Sequence, residues 1–279
     1  MTDLPKRLAS GLTGLAILVG CILWSKYSFG AFFLLTTVFG LWEFYTLLEK
    51  GGYKPMKYFG VIVGIVVFCG NFIFAEKIAQ GEPLPQALLL LIIPLGFLFF
   101  LVELFKKNEN PFTNISFSFS GIIYIAFPFA TLNYIAIYKG DNLADFYHPE
   151  MVLCYFLILW GNDTGAYFAG NLFGKHKLFE RISPNKTWEG GIGGLLLAIT
   201  VAIVISYYLT EISIFDWIAI AILIVFFGTL GDLVESYFKR GLGIKDSGNI
   251  LPGHGGVLDR SDSLLLSVPF VYAYLRLFT

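Results

Sequence analysis

The chain has 279 residues, of which 56% are hydrophobic, 18% aromatic and only 14% charged, with a formal net charge of −1. Soluble domains carry roughly 25% charged residues to cover their surface, so this composition excludes a soluble globule and makes lipid the solvent for much of the chain. The balance of 19 Lys and Arg against 20 Asp and Glu likewise excludes the strongly basic face of a nucleic-acid binder.

A membrane span needs roughly 17 to 25 mainly apolar residues, and about nine stretches meet that measure. The first, Leu8–Trp24, follows Lys6-Arg7 and so looks superficially like a secretory leader. It runs longer than a leader's apolar region and lacks a small-x-small cleavage site, which makes it a retained span. Phe29–Leu48 begins almost at once, predicting a tight helical hairpin. Tyr58–Ala75, Gln86–Phe105 and Phe117–Tyr138 complete a first region, residues 1–150, with about five spans and little polar chemistry. Met151–Phe173, Gly190–Leu209, Phe215–Leu233 and Ser263–Phe278 form a second region, 151–279, where the polar residues concentrate. Cys21, Cys69 and Cys154 all sit in apolar runs at spacings that give neither a disulfide framework nor a zinc site.

Lys and Arg stay on the cytoplasmic side of a membrane protein. With the N-terminus inside, all of them but Lys26, Lys77, Lys139 and Arg276 fall in inner segments. The expected fold is therefore all-α: a polytopic integral membrane protein with about nine transmembrane helices and a cytoplasmic N-terminus.

Four features carry chemistry. If the eighth span continues as a helix through Gly231-Asp232-Leu-Val-Glu235-Ser236-Tyr-Phe-Lys239-Arg240, then Asp232, Glu235, Ser236 and Lys239 share one face. A solvated helix end with internal Glu–Lys pairing would explain that segment alone. It does not explain Lys245-Asp246 followed by Leu251-Pro-Gly-His254-Gly-Gly-Val-Leu-Asp259-Arg260-Ser-Asp262, where glycines around a His let backbone N–H groups approach a phosphate. Between residues 232 and 262 acids and bases are crowded together, as they are where carboxylates hold a divalent ion and bases neutralise a polyphosphate. Third, Asp163 lies deep in a predicted span, where an acid is either functional or a hydrogen-bond hub with Asn162 and Thr164. Fourth, Gly174-Lys-His176-Lys and Arg181-Ile-Ser-Pro-Asn-Lys186-Thr-Trp-Glu-Gly190 present several cations on the same inner face, as the orientation rule also requires. His148 and His176 read as solvated loop residues.

The pattern Ser236-x-Phe238-Lys239-Arg240-x4-Lys245-Asp246-x-Gly248-x2-Leu251-Pro252-x-His254-Gly255-Gly256-Val257-x-Asp259-Arg260-x-Asp262 closely resembles the hallmark of phosphatidate cytidylyltransferases. Asn162-Asp163-Thr164 and Ser183-Pro-Asn-Lys186-Thr-Trp-Glu-Gly190 are similar to further segments of that family, while Ser261 stands where the family usually has an apolar residue. The resemblance spans roughly Trp160 to Ser263 and implies transfer of CMP from CTP to phosphatidate, giving CDP-diacylglycerol and pyrophosphate. It implies Asp232 and Asp259 as Mg²⁺ ligands, with Asp163, Glu235, Asp246 and Asp262 serving a second ion, for which K⁺ is the candidate, or an outer shell. Lys239, Arg240, Lys245 and Arg260 would hold phosphates, with Ser236 on the substrate. Lys186 would close over one substrate, and His254 would donate to a phosphate or the leaving group. Expected partners are CTP, phosphatidate and the bilayer, with a homodimer allowed and no nucleic acid; the expected location is a bacterial inner membrane with the site facing the cytoplasm. A CTP-using polyprenol kinase is the neighbouring alternative. A CDP-alcohol phosphotransferase lacks its Asp-x2-Asp-Gly-x2-Ala-Arg pattern here, and a secondary transporter would show repeat symmetry.

Overall fold

The computed structural model describes residues 4–84, 86–106, 108–140, 146–244, 247–248 and 255–279. They are mostly helical: α1 (Leu4–Trp24), α2 (Lys26–Lys50), α3 (Lys57–Ala79), α4 (Gln86–Leu104), α5 (Pro111–Gly121), α6 (Phe127–Ala136), α7 (Pro149–Phe173), α8 (Trp188–Tyr208), α9 (Ile214–Gly241) and α10 (Leu258–Phe278). A short antiparallel hairpin, β1 (Lys177–Phe179) with β2 (Ser183–Thr187), pairs Lys177 with Thr187 and Phe179 with Ser183, a small addition to the expected all-α class.

Every stretch expected to span is helical, and among the described residues five helical segments are both long and apolar enough to cross a membrane: Lys26–Lys50, Lys57–Ala79, Pro111–Ala136, Trp188–Tyr208 and Ile214–Gly241. α7 and α10 are interrupted by polar residues, Asn162-Asp163 in the middle of the first and Asp259-Arg260-Ser-Asp262 at the start of the second. Pro111–Ala136 is one segment with a π-helical turn at Ile122–Ala126. Pro128 has no N–H to offer the Tyr124 carbonyl, so the backbone widens there and the Phe127 N–H reaches Ile122 instead.

The chain divides into two compact units. The first comprises Met1–Pro149 and Leu242–Arg260. Its opening hairpin is sharper than expected, since Ser25 alone separates α1 from α2. Ser25 and Ser28 cap the turn reciprocally, each hydroxyl accepting the other's backbone N–H at 3.2 and 3.0 Å. Phe29, Phe33, Leu41, Tyr45 and Leu48 of α2 are fully or almost fully buried, and Tyr45 donates to the Ser118 carbonyl at 2.7 Å, tying α2 to α5. His148 stacks on Tyr138 at 4.0 Å and is half-buried rather than solvated, in a segment closed by the Ile137–Tyr147 bridge.

The second unit comprises Glu150–Gly241 and Ser261–Thr279. α8 packs along α9, while Tyr155 of α7 meets Ser267 of α10 at 2.5 Å and Phe227 of α9 stacks on Phe270 at 3.5 Å. α7 and α8 approach so closely that a Cβ at Gly165 would lie 2.5 Å from the Gly193 carbonyl oxygen. Only glycine allows that backbone-to-backbone contact.

Candidate active site

α9 does not stop at the end of its apolar run but continues to Gly241. The continuation places Asp232, Glu235, Ser236 and Lys239 on one face, as their spacing predicts. Ser236 lies 3.3 Å from Asp232 and donates to its carboxylate, and the Lys239 ammonium pairs with Glu235 at 2.8 Å. Gly231 gives α10 room to approach, since a Cβ there would fall 2.4 Å from the Asp262 carbonyl oxygen. The result is a cluster in which carboxylate oxygens of Asp232, Glu235 and Asp262 all lie within 4.8 Å of one another.

Three carboxylates so close, with Glu235 only 2% exposed, cannot all stay ionised unless cations neutralise them. Two are supplied by the protein. Lys239 meets Glu235, and Lys186 reaches Asp232 at 2.5 Å. Asp262 accepts the Ser263 N–H at 2.7 Å. An all-oxygen donor set of carboxylates and a hydroxyl suits a hard divalent cation such as Mg²⁺, and the residues present fit one.

Lys186 owes its place to the hairpin. Thr187, paired with Lys177, caps α8 by accepting the Gly190 N–H at 3.1 Å. Glu189, in the first turn of α8, accepts the backbone N–H groups of Lys175 and His176 at 3.1 and 3.2 Å, and its carboxylate lies 2.6 Å from His176 Nδ1. The turn after α7 is thereby tied to the start of α8, with β2 and Lys186 between. His176 is exposed, as expected, but engaged.

Asn162, Asp163, Lys186, Thr187, Thr229 and Asp232 face a cavity of about 250 Å³ in the second unit. Asn162 donates to Asp163 at 3.3 Å, the Asn162 part of the expected hydrogen-bond hub. Arg240 is exposed beyond the cluster.

Asp259 and Arg260 belong to the first unit. Asp259 Oδ1 accepts the Ser247 hydroxyl at 2.6 Å, and Oδ2 accepts the N–H groups of Gly256 at 2.8 Å and Ser247 at 3.1 Å. Its carboxylate thus fastens the segment before α10, and Arg260 is exposed. Lys245, Asp246 and His254 lie outside the described residues.

The sequence reading passed over Glu43. It is an acid inside the apolar helix α2, 3% exposed, and its Oε2 accepts the Leu258 N–H at 3.0 Å. The signal was available in principle, because an ionisable residue within an apolar span is a functional candidate. It was obscured by the much denser chemistry after residue 160.

Residues 5–278 match the cytidylyltransferase family. The chain is 32% identical to the phosphatidate cytidylyltransferase of Haemophilus influenzae, with 99% of each chain covered. It is 37% identical to that of Staphylococcus saprophyticus over 83% of this chain and 85% of the relative, and 32% identical to that of Staphylococcus aureus over 85% and 95%. With a match that runs nearly end to end, the chain belongs to the cytidylyltransferase family.

Proposed function

We propose that this protein is a phosphatidate cytidylyltransferase, making CDP-diacylglycerol and pyrophosphate from CTP and phosphatidate for phospholipid synthesis. The observation that carries the reading is the cluster of Asp232, Glu235 and Asp262 flanked by Lys186 and Lys239, in a chain whose relatives bear that name along nearly their whole length.

In the reaction a phosphate oxygen of phosphatidate attacks the α-phosphorus of CTP in line. A new P–O bond forms as the bond to the bridging oxygen of the β-phosphate breaks, and pyrophosphate leaves with that electron pair. The nucleophile is already anionic near neutral pH, so no strong base is needed; bringing two polyanions together is the barrier, and positioning and charge neutralisation lower it. Mg²⁺ bound by Asp232, with Glu235 and Asp262, would supply the positive charge that screens the nucleotide phosphates. Lys186 on its hairpin and Lys239 on α9 hold and neutralise phosphate oxygens, with Arg240, Lys245 and Arg260 extending the basic surface. Ser236 orients Asp232 or a substrate oxygen. The resemblance adds Asp259 to Asp232 as a Mg²⁺ ligand and offers Asp246 and Asp163 to a second ion, with K⁺ as the candidate, or to the groups around it; His254 would donate to a phosphate or the leaving group.

Phosphatidate stays in the bilayer and CTP in the cytosol. We therefore assign nine spans, an N-terminus inside and a site facing the cytoplasm of a bacterial inner membrane, in keeping with the distribution of Lys and Arg.

The deciding experiment is conversion of phosphatidate by detergent-purified protein with CTP, with and without Mg²⁺, reading both lipid product and pyrophosphate. CDP-diacylglycerol that appears only with the metal is the expected result. Release of CDP with a newly phosphorylated lipid would replace this reading with a kinase.

A further inference from the structure

The first unit contains a buried acid that the proposed chemistry does not use. Glu43 lies within α2, in an apolar stretch between Trp42 and Phe44, yet it faces no water. Desolvating a carboxylate in this way is costly unless something specific is held. What it holds is the beginning of α10. Its Oε2 accepts the Leu258 N–H at 3.0 Å, and the Val257 N–H also bonds to the carboxylate. These are the first N–H groups of a 21-residue helix, which have no partner within the helix and sit at the positive end of its dipole. A helix is usually capped by a residue next to it in sequence; here the acceptor comes from 215 residues away.

Two glycines lie against the same carboxylate. A Cβ at Gly248 would fall 2.5 Å from Oε1, and one at Gly256 would fall 2.6 Å from Oε2. Gly256 is held from its other side too, because its N–H donates to Asp259 at 2.8 Å. Asp259 in turn accepts from Ser247, the neighbour of Gly248. Glu43 and Asp259 therefore hold the same two pieces of backbone, Ser247-Gly248 and Gly256.

We propose that Glu43 is a positioning residue: from α2 it clamps the first turn of α10 together with Gly248 and Gly256, and so fixes where the Asp259 carboxylate and the Arg260 backbone stand for the nucleotide. This rests on the cytidylyltransferase reading, in which Asp259 and Arg260 serve the CTP end of the reaction. It gives the N-terminal half a part in catalysis beyond anchoring the chain in lipid. The clamp acts on nucleotide handling and not on the lipid substrate.

The test compares full-length wild type with Glu43→Gln and Glu43→Ala in detergent. Steady-state kinetics are followed for each substrate, and backbone hydrogen exchange is followed over residues 255–260. Glu43→Gln keeps an acceptor of the same length, whereas Glu43→Ala removes it. A lost hydrogen bond to a charged group changes a rate by about tenfold to a hundredfold. We expect Glu43→Ala to lower kcat/KM for CTP by that factor and to leave KM for phosphatidate within about twofold, with Glu43→Gln falling between the two enzymes. Exchange at 255–260 should quicken in Glu43→Ala while the rest of α2 keeps its protection. Wild-type CTP kinetics in Glu43→Ala would overturn the proposal. So would a KM for phosphatidate that rises as far as the KM for CTP, or a quickening of exchange throughout the first unit, since either marks a general folding role. A wild type that makes no CDP-diacylglycerol would sink the assigned reaction instead; the exchange measurement needs no substrate and would still decide the clamp.

Discussion

Asp232 is where most constraints of the second unit meet: it accepts from Ser236, pairs with Lys186 and shares its surroundings with Glu235 and Asp262. Its side chain and that of Lys186 are each about 30% exposed, at 31% and 27%. An ion pair so open to solvent contributes at most about 1 kcal/mol to stability. Stability and activity should therefore separate at these two positions. Asp232→Asn keeps the shape but removes the charge that would bind the metal, and is expected to lower kcat by about a hundredfold to a thousandfold or more, with a melting temperature close to wild type. Lys186→Met should lower kcat/KM by about tenfold to a hundredfold, again with little change in melting. Because Lys186 pairs with Asp232 and, on the proposed reading, neutralises the same phosphates as the Mg²⁺ that Asp232 would hold, the double variant should lose less than the product of the single losses. Turnover near wild type in Asp232→Asn would remove it from the metal site, and strictly multiplicative losses would mean that the two residues act separately.

At the scale of elements, the geometry depends on a few close approaches and caps. At Gly165 the obstacle to a side chain is the Gly193 carbonyl, a backbone atom that cannot swing aside. Gly165→Ala should thus force α7 and α8 apart and destabilise the protein by about 1–3 kcal/mol, with activity expected to fall because Asp163 stands on α7 and Lys186 on β2, which leads directly into α8. Thr187→Val keeps the shape of the side chain but removes the acceptor for the Gly190 N–H, at a cost of about 1 kcal/mol. Detergent-phase thermal unfolding checks both. An unchanged melting temperature in Gly165→Ala would show that the crossing is not as tight as described. These elements differ in how far the sequence announces them. The run of α9 through Asp232 and Lys239 is visible in the i, i+3, i+4 and i+7 spacing, because charge and helical period agree there. The hairpin is not visible, because Ser183-Pro-Asn-Lys-Thr has no alternation and Pro and Asn are poor strand formers; its strands exist because Thr187 and Glu189 fasten the two ends. The π turn before Pro128 follows from a proline that the sequence shows, whereas the reach of Glu43 to Leu258 is a contact 215 residues apart, which no local pattern encodes.

For the whole molecule, the inventory of positive charge and the chemistry of the substrates make one joint demand. With CTP drawn from the cytosol, the orientation proposed above puts Lys186 and its hairpin inward and the segment around Lys139 outward. Single cysteines in a background without Cys21, Cys69 and Cys154 test this: Lys139→Cys in the segment before α7, and Arg181→Cys in the turn between β1 and β2. Applied to intact cells, a membrane-impermeant maleimide should label Lys139→Cys, whereas Arg181→Cys should react only after the membrane is opened. α7 has the length to separate the two sites, 25 residues at about 1.5 Å of rise per residue. Labelling of both from outside would mean that α7 does not cross, and the count of nine would fall. The reversed pattern would put the carboxylate cluster on the face without CTP, and the orientation drawn from Lys and Arg could not then be kept together with a cytosolic nucleotide as substrate.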